Sequence, residues 1–176
     1  SFPTRRSSDL LNEHTQNMEI ISYLDSIADG NIGLLSEAGL PCIADPGAKI
    51  VRMAQEKNIN VVPLVGPSSL MMALMASGFN GQNFSFIGYL PIDKNERLKA
   101  IRKLEERSQK ENQTQIFIEA PYRNNQMLEA LINTCKDNTM ICVACDISLD
   151  TQYIKTLSVK KWKKNIPNLH KRNTVF

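Results

Sequence analysis

Two short loops carry residue types that let a backbone close on a small molecule. They are Ala38-Gly39-Leu40-Pro41 and Gly66-Pro67-Ser68-Ser69, and each follows a short apolar run, at 32–35 and 61–65. Gly39 and Gly66 allow main chain to approach a ligand where a Cβ would collide. Ser68 and Ser69 open a helical pattern, so backbone donors there are free for ligand oxygens. In an open α/β sheet the ligand sits outside the carboxyl ends of the strands. Two strand–loop–helix units side by side therefore describe a small-molecule pocket. Taken singly, the same residues are ordinary: Gly39-Leu40-Pro41 also reads as a strand-to-helix turn, and Ser68-Ser69 as a helix cap.

The elements that must position these loops follow from hydrophobic spacing. Residues 18–27 and 48–57 place apolar side chains at helical intervals, and the runs 32–35 and 61–65 are short enough to be buried parallel strands. Residues 68–77 are almost wholly apolar and read as a buried helix, started after Pro67 and stopped at Gly78. Residues 79–83 are polar and glycine-bearing and place a domain boundary. A second α/β pattern follows: a strand at 84–90, an amphipathic helix at 93–110, a strand at 114–119 and a helix at 122–135. Two strands, 140–145 and 153–159, pair antiparallel around the turn 146–152. The fold class is α/β, with an N-terminal domain over 11–82 and a C-terminal domain over 83–176.

Composition narrows the function classes. The chain has 176 residues, 42% hydrophobic and 22% charged, which suits a globular protein. No apolar run is long enough to span a membrane, so the expected location is the cytoplasm. The net charge of +3 is too small to imply nucleic acid by itself. Of the four cysteines, Cys142 and Cys145 have C-x-x-C spacing, but inside a strand that alternation puts them on opposite faces. With only His14 and His170 besides, no metal is expected, and the thiols read as buried and reduced. Residues 1–10, SFPTRRSSDL, resemble a translated sequencing adapter and are set aside as a non-native tail. The native chain would then begin upstream of Leu11. The expectation is a first-domain sheet with an unpaired edge, poor stability and weak cofactor binding in this chain.

The ordered segments SEAGLPCIADPGA (36–48), PLVGPSSLMMALMASG (63–78), FIGYLP (86–91 with its preceding register) and FIEAPYR (117–123) together resemble the tetrapyrrole methylase superfamily. Within it they are most similar to the branch of small-subunit (16S) ribosomal RNA 2′-O-ribose methyltransferases; LNEH at 11–14 resembles that branch too. The resemblance implies two α/β domains with S-adenosylmethionine between them, methyl transfer without a metal, and a homodimer. It implies that Ala38, Gly39 and Leu40 surround the cofactor, with Ile43 as an apolar wall. Ser68 and Ser69 match a small-hydroxyl pair, and Glu119 and Ala120 match the second domain's edge of the cleft. This chain departs from the family at Leu40, where many members carry Asp. It also carries Cys145-Asp146-Ile147-Ser148-Leu149 where the ribosomal enzymes have an Arg-Glu-Leu-Thr-Lys-like stretch.

Methyl transfer from a sulfonium is an in-line displacement in which the protein chiefly positions the reactants. A hydroxyl acceptor would also need its proton taken; Glu37, Asp45 and Glu119 are the candidates, and the sequence does not rank them. The acceptor stays open between a ribose hydroxyl of ribosomal RNA, presented by the small ribosomal subunit, and a tetrapyrrole. A non-catalytic nucleotide- or RNA-binding protein is the alternative. The stretch 155–172 holds seven Lys and Arg, no acid, and Trp162. It reads as a solvated lysine face with Trp162 packed inward, or as an RNA footprint with Trp162 stacking on bases.

Overall fold

The structure, a computed structural model, describes residues 11, 15–25 and 30–176. The readings of the tail 1–10, of residues 12–14 and of the helix end at 26–29 fall outside the described residues. The chain divides into two compact units, one up to Pro67 and one from Ser68 to Phe176.

In the first unit, helices α1 (Asn17–Asp25) and α2 (Ala48–Glu56) pack Ile20 and Leu24 against Ile50 and Ala54. Lys57 Nζ bonds Asp25 at 2.5 Å across the pair. The runs 32–35 and 61–65 do not form the expected strands. Only Leu34 and Val61 of these runs reach the helical core; Leu35, Leu64 and Val65 point to solvent. A strand exists as one half of a hydrogen-bonded ladder, and no described residue supplies the other half.

The second unit is a five-stranded sheet covered on both faces. It opens with α3 (Ser69–Ser77), which ends at Gly78 in the left-handed conformation, φ +76°. Strand β1 (Phe84–Tyr89) leads through α4 (Lys94–Glu111) to β2 (Thr114–Ile118). Asp93 caps α4 by accepting from Glu96 N at 3.0 Å, and Asn112 closes it at φ +49°. A 3₁₀ turn (Pro121–Arg123) enters α5 (Asn124–Thr134). Then come β3 (Met140–Cys145), β4 (Tyr153–Ser158), the single-turn α6 (Val159–Trp162) and β5 (Thr174–Val175).

The strand order is β1-β2-β5-β3-β4. β1 and β2 are parallel; β5 pairs antiparallel with both β2 and β3, and β4 antiparallel with β3. Strands β1, β2 and β3 thus point the same way. Alternation along β3 sends Ile141, Val143 and Cys145 to the core under α4, α5 and α6, and Cys142 and Ala144 to the core under α3. The C-x-x-C pair is therefore split between faces, as the spacing predicts. Burial pushes all four thiols up, Cys135 to about 12.

Helix α3 packs Leu70 and Ala73 against Ile116, Cys142 and Val175, and Ser77 O accepts from Thr156 Oγ1 at 2.8 Å. That packing places the compact division at Pro67, upstream of the expected boundary at 79–83. Only one face of α3 is covered, because Met75 is 83% exposed; the expectation of a fully buried helix is corrected on that point.

Candidate cofactor and substrate site

The first loop is built from backbone conformations that side chains disfavour. Gly39 (φ +75°), Cys42 (+67°), Ala44 (+56°) and Gly47 (+140°) lie within one short segment. Positive φ at non-glycine residues costs free energy and collects where a precise loop shape is needed. Ser36 Oγ donates to Ala38 O at 2.9 Å and accepts from Ala38 N at 3.3 Å. Ile43 N donates to Leu40 O at 3.3 Å. Ala38, Gly39 and Ile43 are exposed and Leu40 is half-buried.

Leu40 is where the two loops of this unit meet. A Cβ placed on Gly66 would lie 2.9 Å from Leu40 Cδ2. What stands against Gly66 in this structure is the Leu40 side chain. A cavity of about 440 Å³ opens where the first loop enters α2, lined by Leu11, Ile20, Asp45, Pro46, Gly47 and Lys49, with neither Leu40 nor Gly66 in its wall. Asp45 faces this space, while Glu37 is exposed on the loop.

In the second unit, Ser68 is the residue before α3, extended at φ −131°, and its carbonyl accepts from Met72 N at 2.9 Å. Its side chain makes no capping bond. Ser68 thus stands at the N-cap position by its backbone, without a side-chain cap.

Glu119 leaves the end of β2 with its side chain 1% exposed. Its Oε1 accepts from Ala120 N at 2.7 Å, Arg123 Nε at 3.0 Å and Arg123 Nη2 at 2.6 Å. This is a buried, charge-assisted pair. Arg123 in turn lies 5.4 Å from the centroid of the Tyr122 ring. Ala120 is half-buried, and its carbonyl accepts from Arg123 N at 2.8 Å, closing the 3₁₀ turn.

A second ion pair sits at the end of β3. Arg172 Nε donates to Asp146 Oδ2 at 2.8 Å and Arg172 Nη2 to Thr151 O at 2.5 Å. Burial pushes the Asp146 carboxyl up, but hydrogen bonds from Arg172 and Thr151 outweigh it and hold it below the usual range. Asn124, fully buried, donates to Arg172 O at 2.6 Å, while its Oδ1 has no protein partner.

Sequence reasoning missed Arg123, Asn124, Asp146 and Arg172 as site components. The Glu119–Arg123 pair had a local signal, since four-residue spacing across a helix entry brings ends together. Asp146 and Arg172 had none: they are far apart in sequence, and β5 joins them by pairing between β2 and β3.

The basic stretch resolves residue by residue. Trp162 is 0% exposed and its Nε1 donates to Ile141 O at 3.0 Å, so it packs inward and stacks on nothing outside. Lys163 pairs with Asp137 at 2.5 Å, while Lys160, Lys161 and Lys164 are exposed. Among the described residues no group of His, Cys, Asp and Glu is arranged to hold a metal, and no helix is long and apolar enough to cross a membrane.

Ribosomal RNA small subunit methyltransferase I of Bacillus subtilis (strain 168) is 40% identical over 126 residues, which is 72% of this chain and 41% of that protein. Its counterpart from Escherichia coli O157:H7 is 31% identical over 170 residues, 94% of this chain and 58% of that protein. The one from Halalkalibacterium halodurans is 33% identical over 142 residues, 73% and 48% respectively. The chain thus spans about half the length of the curated relatives it matches. The crystal structure of the methyltransferase CobJ superposes with a TM-score of 0.57 at 15% identity, covering 89% of this chain and 68% of that one; it shares the α/β fold. The family model for tetrapyrrole (corrin/porphyrin) methylases matches residues 1–162, and the chain belongs to that family.

Proposed function

We propose that this chain is part of an S-adenosylmethionine-dependent methyltransferase acting on small-subunit ribosomal RNA at a ribose 2′-hydroxyl. The family match and the names of relatives at 30–40% identity support the reaction class and the acceptor. The observation that carries the reading is the meeting of Leu40 with Gly66 beside a loop of left-handed backbone. In this loop the space beside Gly39 is open, while the Leu40 side chain covers Gly66.

S-adenosylmethionine supplies an electrophilic methyl group and its own leaving group. The chain's part is to bind and orient. Ala38, Gly39, Leu40 and Gly66 hold the cofactor's polar edges through backbone groups, and Ile43 gives it an apolar wall. Ser68 and Ser69 offer hydroxyls and backbone donors. With Leu40 in place of an acid, recognition in this loop falls to backbone rather than to a carboxylate. Glu119 is bonded to Arg123, so its role is to fix the turn that carries Ala120. Asp45 and Glu37 remain as groups to accept the hydroxyl proton. An acceptor of this class fits a cytoplasmic enzyme working beside the ribosome, and a homodimer is the expected assembly.

The test is calorimetric titration of S-adenosylmethionine into the chain extended to the length of its relatives. Saturable binding, lost on Gly66→Val and on Gly39→Val, is the expected result. No binding would refute the reading. Binding without methyl transfer to small-subunit RNA would leave a cofactor-binding module with another acceptor or none.

A further inference from the structure

Strands β1, β2 and β3 end on one side of the sheet, at Tyr89, Ile118 and Cys145. The chain's return to β5 is bound to that same side. Lys171 N donates to Pro121 O at 3.0 Å, Asp146 N to Asn173 O at 2.8 Å, and Leu169 N to Asn125 Oδ1 at 2.6 Å. Asn124 and Asp146 hold Arg172 from either side, and Leu169 is fully buried. This clamp puts Lys171 in the left-handed conformation, φ +58°, a state that a lysine adopts only when its surroundings enforce it. Yet the side chains it presents, His170 and Lys171, are exposed.

Charge at this edge is uneven. Glu119 is neutralised by Arg123 and Asp146 by Arg172, and Asp93 caps α4. Lys171 makes no ion pair among the described residues; the remaining acid of the β3–β4 turn, Asp150, is exposed at its tip. Aromatic surface accompanies the cation. Tyr89 is 58% and Tyr122 61% exposed, at the exits of the adjacent strands β1 and β2. Arg123 sits against the Tyr122 ring and is itself fixed by two bonds to Glu119, so the ring is held while most of it stays open.

Exposed aromatic rings, one of them supported by Arg123, at the edge that also carries an unpaired cation suit unstacked bases and their phosphates, and not a duplex, whose bases are already stacked. We propose that the exits of β1 and β2 form a platform for single-stranded RNA, with Tyr122 and Tyr89 stacking on bases and Lys171 meeting the backbone. The inference rests on the RNA acceptor proposed above and moves RNA contact away from Trp162 and the lysines around it. Glu119 and Arg123 act here as positioning residues, through the Tyr122 ring.

The test uses the 176-residue chain, with fluorescence anisotropy of a labelled single-stranded oligoribonucleotide and of its perfect duplex, at several salt concentrations. The single strand binds preferentially. Tyr122→Ala weakens it about tenfold and Tyr122→Phe restores it, since stacking needs the ring and not the hydroxyl. Lys171→Ala lowers the salt slope by about 0.7, while Lys160→Ala and Lys164→Ala leave the single-strand affinity unchanged. Unaltered thermal melts for Tyr122→Ala and Lys171→Ala exclude misfolding as the cause. Equal affinity for the duplex, absence of RNA binding, or wild-type affinity in Tyr122→Ala overturns the platform. An acidic peptide that displaces the RNA as well as a competing single strand does so too, since the surface would then be a general anion site. Titration of S-adenosylmethionine on the extended protein reads the other proposal separately: cofactor binding without single-strand binding sinks the platform alone, and the converse sinks the methyltransferase reading alone.

Discussion

Val143 and Val65 are the same side chain in opposite circumstances. Val143, 0% exposed, lies in β3 between β5 and β4 and faces the core under α4, α5 and α6. Val65, fully exposed, lies in an apolar, β-branched run that pairs with nothing described. Hydrophobic pattern marks both runs as strands, but the run 61–65 carries Pro63, which has no N–H to give a ladder. The other difference is the partner, which a β-branched apolar run requires and does not itself contain. The unit from Ser68 onward supplies its own ladders; the unit up to Pro67 is held by two short helices and by loop conformation. Burial therefore stabilises the one, while backbone geometry shapes the other.

The largest effect that can break this comparison is at Trp162. Its side chain fills the core beneath α6 and its N–H is spent on Ile141 O. Trp162→Ala should cost about 3–5 kcal/mol, read by urea denaturation. Val65→Ser, a loss of apolar character at an exposed position, should fall within about 0.5 kcal/mol of the parent. Similar losses in the two would mean that the run 61–65 is buried in solution.

A smaller effect sharpens the other half. Gly47 enters α2 at φ +140°, and a Cβ there would lie 2.8 Å from both Cys42 Sγ and Leu34 Cδ2. Gly47→Ala combines strain with overlap and should cost about 1–3 kcal/mol, seen as faster amide exchange through α2. Gly81→Ala meets nothing within 4 Å and should leave exchange unchanged throughout. If α2 is indifferent to Gly47→Ala, the loop from Ala38 to Gly47 is not shaped by its backbone, and the reading of it as a cofactor loop weakens with it.

How much was legible in the residues follows from the same distinction. Helix α4 announced itself through Asp93 and the apolar face at Leu98, Ile101 and Leu104, and the β3–β4 pair through alternation and a turn between. Residue type alone marks Gly39 and Gly66 as special backbone positions: Gly39 has a left-handed φ with open space beside it, and Gly66 lies against the Leu40 side chain. The runs 32–35 and 61–65 were misread because local pattern cannot report a missing partner. Arg172 escaped because its neighbour Asp146 is brought to it by β5, a strand of only two residues. The inward Trp162 was one of two readings, and nothing local separated them: its hydrogen bond goes to the backbone of β3.

The smallest effect concerns the pair that β5 assembles. Asp146 is held below its ordinary pKa by Arg172 and Thr151 against the push of burial. A carboxylate depressed in the folded state contributes stability that is present above its unfolded pKa, about 3.9, and is lost as pH falls through the folded value. Asp146→Asn should therefore lower stability by about 1 kcal/mol near neutral pH, a modest figure because water reaches the pair and screens it. The gap between variant and parent should begin to narrow below about pH 4, where the unfolded carboxyl takes up its proton, and close as pH falls through the parent's lower folded value. Thermal melts of both proteins across the acid range read this directly. A gap that persists unchanged into strong acid would mean that the ionised carboxylate is not what holds Arg172, and that the loop carrying Lys171 owes its shape to its other bonds, among them Lys171 N to Pro121 O and Asn124 Nδ2 to Arg172 O.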